Sequence, residues 1–67
     1  MSGDVLHFRM ERFDDDGIYY VVNGVEIALV TDGRSIEEAI SNLRSAVELY
    51  YERDGLMELP RLVVTFG

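Results

Sequence analysis

The segment from Thr31 to Tyr51, TDGRSIEEAISNLRSAVELYY, reads as a strand end, a tight turn, a capped start and one long amphipathic helix. Ser35 is placed to cap that helix, and Glu38 three residues later completes a capping box. Ile36, Ala39, Ile40, Leu43, Val47 and Tyr50 recur at helical spacing and form one apolar stripe, widened by Ala46 and Leu49. Glu37, Glu38, Ser41, Arg44, Ser45, Glu48 and Glu52 take the other face. The spacing predicts a helix from about Ile36 to about Arg53, with Arg53 suited to the negative end of the dipole and Gly55 as the C′ residue.

Upstream, Val5 to Phe13 alternate as a strand does. Leu6, Phe8 and Met10 fall on one face, and His7, Arg9 and Glu11 on the other. Asp14 to Gly17 form a turn, with Gly17 free to take positive φ. Ile18 to Val22 and Val25 to Thr31 read as two more strands around Asn23-Gly24. Asn-Gly between apolar runs is the strongest short hairpin signal, since a type I′ turn needs positive φ at both central residues. A two-residue loop there sets Val22 opposite Val25, Tyr20 opposite Ile27 and Ile18 opposite Leu29. Downstream, Leu56 to Leu59 is a connector, Pro60 holds Leu59 extended, and Arg61 to Phe66 is a last strand.

The chain, residues 1–67, is thus one α+β domain with element order β-β-β-α-β. A three-stranded antiparallel meander is followed by a right-handed helical crossover, which sets the fourth strand parallel to the first and gives the order 3-2-1-4. One helix covers one face. Yet the second strand is apolar on both faces, Ile18, Tyr20 and Val22 against Tyr19 and Val21, and the third sets Val25, Ile27 and Leu29 against Ala28 and Val30. Two-sided apolar strands expect cover on both sides. Burying roughly 500 Å² of such a patch is worth on the order of 12 kcal/mol before association costs. The expectation is a homo-oligomer, a dimer first, or a stable partner on the open face.

Composition narrows the chemistry. Thirteen Asp and Glu against six Arg, with no lysine, give a formal charge of -7. Such a field repels DNA and attracts a basic partner. Without cysteine and with one histidine, neither a disulfide, a thiolate site nor a histidine-rich metal site forms within one chain. No run approaches the roughly 20 apolar residues of a membrane span, and Asp4, His7, Arg9 and Glu11 break up any signal-peptide pattern, so the expected location is cytoplasmic.

The side chains that carry chemistry elsewhere have plainer roles here. Among Asp14, Asp15, Asp16, Glu26 and Asp32, three are consecutive in a turn and point apart, unlike the converging carboxylates of a two-metal site. A calcium loop begun at Asp14 would need its bidentate glutamate where Val25 stands. His7 has no marked triad partner, and Ser35 is a cap rather than a nucleophile. Arg9, Arg12 and Arg61 approach one another if the first and last strands pair, as cross-strand ion-pair partners. No phosphate loop or dinucleotide fingerprint is present. No catalytic residue, cofactor or metal ligand is assigned.

Asp16 to Val22, then Leu29 to Gly33, then Ser35 to Ile40 and Leu43 to Tyr50 resemble, in order and spacing, the HicB antitoxin family: an acidic turn with glycine, a Tyr-Tyr-Val strand, a Thr-x-Gly turn, a capped Glu-Ala helix start and a Leu-Arg-x-Ala helix. The likeness covers the chain from about Val5 to Phe66, and Glu38-Ala39 after the cap is its most specific element. It implies a partial ribonuclease-H-like fold, oligomers, and neutralisation of a small basic HicA-type mRNA interferase by direct contact. Family members often carry a C-terminal DNA-binding segment and a longer, proline-containing second loop. Here the sequence given stops at Gly67 and the loop is Asn23-Gly24, so operator binding by this chain is not expected. The expected function is a non-catalytic protein-interaction domain. The alternative is a solitary oligomeric regulator or small-ligand-binding domain without a toxin. The expected contact surface has Tyr19, Val21, Ala28 and Val30 for burial, with Glu26, Asp14 and Asp16 steering a cationic partner.

Overall fold

The structure is a computed structural model that describes residues 5–53 and 60–67. Its elements are β1 (Val5–Asp14), β2 (Ile18–Gly24), β3 (Val30–Gly33), α1 (Ile36–Arg53) and β4 (Arg61–Phe66). They form one sheet of order β3-β2-β1-β4, antiparallel except for the parallel pair β1 and β4, with α1 on one face. The α+β class, element order and strand order are those expected. The readings of Gly55 and of Leu56 to Leu59 lie outside the described residues.

The β1–β2 turn follows its local chemistry. Asp14 pairs with Ile18, which leaves Asp15, Asp16 and Gly17 as the loop. Gly17 has φ 121° and Asp16 φ 66°. Aspartate visits the left-handed region more readily than most residues, so both positions suit the turn.

The second turn is not the one predicted. Asn23 and Gly24 belong to β2, and neither has positive φ. The chain departs after Gly24, loops through residues 25–29 and returns as a four-residue β3. Tyr20 therefore faces Gly33, Val21 faces Asp32, Val22 faces Thr31 and Asn23 faces Val30, so the tight-turn register is overturned. The physical reason is burial. The wider loop packs Ile27 and Leu29 against the core. It closes on itself through the Gly24 N–H to the Leu29 carbonyl (2.8 Å) and the Leu29 N–H to the Ile27 carbonyl (3.0 Å). Gly24 is needed here for closeness: a Cβ at this position would run into the Ile27 carbonyl oxygen.

The core lies between sheet and helix. Leu6, Phe8 and Met10 from β1, Val22 from β2, and Ala39, Leu43 and Val47 from α1 are buried. On the helix the buried line is narrower than the predicted stripe: Ile36, Leu49 and Tyr50 are exposed, and Tyr51 packs against the core in place of Tyr50. The Thr31 hydroxyl is a buried oxygen without a hydrogen-bond partner. Thr31→Val, which keeps the shape and removes the unsatisfied group, is expected to raise stability by about 1 kcal/mol in denaturant unfolding.

The helix starts as a modified capping box. The Ser35 hydroxyl accepts from the Glu38 N–H (3.0 Å), as predicted. The Glu38 carboxylate reaches one residue further back than expected and accepts from the Arg34 N–H (2.5 Å). Asn42 donates its side-chain amide to the Asp32 carbonyl (2.8 Å), which ties the second helical turn to β3. Ser35→Ala is expected to cost about 1 kcal/mol of stability, read as a lower thermal midpoint with unchanged fold.

Candidate interaction surface

Strand parity decides what the uncovered face presents. Odd residues of β1 and β2 point away from α1, since their even neighbours Phe8, Met10 and Val22 form the core. The open face thus carries Val5, His7, Arg9, Glu11 and Phe13 from β1, with Tyr19, Val21 and Asn23 from β2. Register adds Val30 and Asp32 from β3, and Arg61, Val63 and Thr65 from β4. The Phe13 and Tyr19 rings stack across the strand pair, with centroids 5.3 Å apart and planes 18° off parallel. Val21 lies beside them half-buried, and Val30 on the neighbouring edge is 64 % exposed.

This face is mixed rather than uniformly apolar. The predicted outer surface of the third strand shrinks because β3 holds only four residues. Ala28, placed on the sheet by the tight-turn reading, sits in the loop outside it, exposed. Tyr19, Val21 and Val30 are brought together, and Phe13 joins them. Phe13 was missing from the predicted surface, although the alternation of β1 already set it on the face of His7, Arg9 and Glu11.

The acidic residues separate. Asp14 shares the parity of Met10, turns to the side opposite Tyr19, and lies 3.9 Å from the Arg12 guanidinium. Asp16 sits in the turn. Close by, Asp15, Asp16, Asp32 and Glu38 line a shallow cleft of about 500 Å³ that also includes Arg34 and Asn42. Among the described residues no group of three His, Cys, Asp or Glu side chains is placed to hold a metal ion. The arginines separate as well: Arg9 and Arg61 share the open face four registers apart, and Arg12 lies on the other. No helix of the described residues is long and apolar enough to cross a membrane.

Glu26 has a partner within the chain. One carboxylate oxygen accepts from the His7 main-chain N–H (2.7 Å) and the other from the His7 ring Nδ1 (2.5 Å). An ionised carboxylate only accepts, so Nδ1 carries the proton. The Val25 N–H meanwhile donates to the His7 carbonyl (2.9 Å). The side chain of Glu26 thus supplies the acceptor that the β1–β2 ladder loses where β2 turns away.

These contacts hold the Glu26 carboxyl below its ordinary value of 4.5, first through the His7 main-chain N–H and next through its ring. A depressed carboxyl stabilises the fold above its unfolded pKa, and that contribution disappears as pH falls through the folded one. The wild type should therefore lose thermal stability relative to Glu26→Gln as pH falls below about 4.5. Parallel curves throughout would show the contact to be slack.

No family model matches this chain, and comparison with curated proteins and with solved structures also finds no match.

Proposed function

We propose that this chain is a non-catalytic interaction domain of the HicB type, which binds a small basic protein of the HicA mRNA-interferase kind and works as a homo-oligomer. The observation that carries the reading is the sheet face opposite α1, where a Phe13–Tyr19 stack continues into Val21 and Val30. Aromatic anchors ringed by polar groups are what a protein contact uses for affinity. The charge of -7, with Asp15, Asp16, Asp32 and Glu38 gathered at the turn end, supports a cationic partner through faster encounter. The family assignment rests on the order and spacing of the motifs from Asp16 to Tyr50.

The test is co-expression with a basic protein of about 60 to 80 residues, the size of one small domain, encoded beside this chain. The expected result is a co-purifying complex and relief of growth arrest, both lost in Tyr19→Asp. A neighbour that neither binds nor arrests growth would sink the toxin reading.

One observation favours the second reading, a solitary oligomeric regulator or small-ligand-binding domain. Between α1 and β4 runs a groove of about 580 Å³, lined by Ile40, Leu43, Val47, Leu62 and Val64 together with the charged Arg44 and Glu48. That is within the range of small-molecule sites, roughly 300 to 1,000 Å³.

A further inference from the structure

The outer edge of β4 lies apart from the open face. β4 ends the sheet next to β1. The Gly67 N–H donates to the Met10 carbonyl (3.1 Å), so in this parallel ladder Val63 and Thr65 also turn their main-chain groups towards β1. Leu62, Val64 and Phe66 turn theirs outward, where no described strand meets them. Proteins blunt such edges with charge, proline, a bulge or brevity. The opposite edge is blunted, since β3 has four residues and carries Asp32. β4 is blunted only at its start, by Pro60 and Arg61: from Leu62 to Phe66 it has neither charge nor proline, and Phe66 is 58 % exposed.

We infer that β4 pairs with β4 of a second copy, antiparallel about a two-fold axis at Val64, and so joins two sheets into one. The register follows from the sequence. Centred on Val64, the pairing sets Leu62 against Phe66 of the partner subunit, and every outward N–H of Leu62, Val64 and Phe66 meets a carbonyl. Centred on Val63, Phe66 would face Pro60 of the partner subunit, which has no N–H to give. In the Val64 register Arg61 faces Gly67 of the partner subunit, so no like charges oppose. The side chains agree. Leu62, Val64 and Phe66 share the face of the core residues Leu6, Phe8 and Met10. Pairing therefore brings Phe66 of the partner subunit beside Leu62, at the mouth of the α1–β4 groove. An isologous contact of this kind closes at two copies and consumes the exposed edge. It leaves both open faces free on one side of the joined sheet, so it stands independently of the partner proposed above.

Amide hydrogen exchange on the intact chain, with sedimentation equilibrium, tests this. The expected result is a dimer in which the Leu62, Val64 and Phe66 amides are protected as the Val63 and Thr65 amides are. Dilution to monomer should speed the first set at least about tenfold and spare the second. Val64→Pro removes the outward donor at the two-fold along with a side chain that packs against the core, so a Val64→Pro chain that folds should sediment as a monomer. Tyr19→Asp, on the opposite face, should stay dimeric while losing any basic partner. A chain that is monomeric at hundreds of micromolar would overturn the proposal. So would a dimer whose Leu62, Val64 and Phe66 amides exchange freely, since it would use another surface or leave the groove to a small ligand.

Discussion

Phe8→Ala is expected to unfold this domain at room temperature. Phe8 is fully buried in β1, which is hydrogen-bonded on both sides, facing Gly24 of β2 and Val64 of β4. Its ring belongs to the cluster that Leu43, Val47 and Ala39 close from the helix. Truncating a buried phenylalanine costs about 3–5 kcal/mol, because the cavity collapses only in part. A core in a domain below about 70 residues rarely supplies more than that in total. The variant should therefore show no cooperative thermal transition by circular dichroism. Val30→Ala, at a wet position on β3, should stay within about 0.5 kcal/mol of the parent. A Phe8→Ala chain that melts cooperatively would mean that most of the stability lies elsewhere, the β4 edge being the first place to look.

Gly33→Ala should be the next most damaging change, for a different reason. A Cβ on Gly33 would stand 2.5 Å from the Ala39 nitrogen, 2.8 Å from the Ala39 Cα and 2.9 Å from the Glu38 carbonyl carbon. All three are backbone atoms, so no side chain can rotate aside. The first turn of α1 would have to lift from β3, loosening the Asn42 bond to the Asp32 carbonyl. Overpacking of this kind costs about 3 kcal/mol at its upper range. For a domain this small that corresponds to a fall of roughly 15 °C in the midpoint. A fall of only a few degrees would show that helix and strand slide apart easily.

The elements that could be read from the chain are those fixed by neighbours in sequence. Ser35 and Glu38 mark the helix start within three residues of each other, and the Asp-rich turn needs nothing beyond itself. The strand order followed from handedness and direction once one helix stood between strands three and four. Asn23-Gly24 failed because its glycine answers a contact with Ile27, and the following Glu26 answers His7, 19 positions away. No local pattern holds that information. The contact surface was half legible for the same reason. Parity places Tyr19, Val21 and Phe13 together, whereas Val30 reached them only through the longer loop, which also carried Ala28 off the sheet.

The pairing of β1 with β4 also has a consequence for how the molecule is made. Val5 and Arg61 are neighbours in space but about 56 positions apart along the chain. The β1–β2 turn closes over three residues, whereas this ladder closes across the whole meander and the helix, at an entropic cost that grows with the logarithm of the loop. On the ribosome, β1 must wait with one side bare until β4 has been translated. Maturation is therefore a late zipping step, and the nascent intermediate is the form most in need of a chaperone.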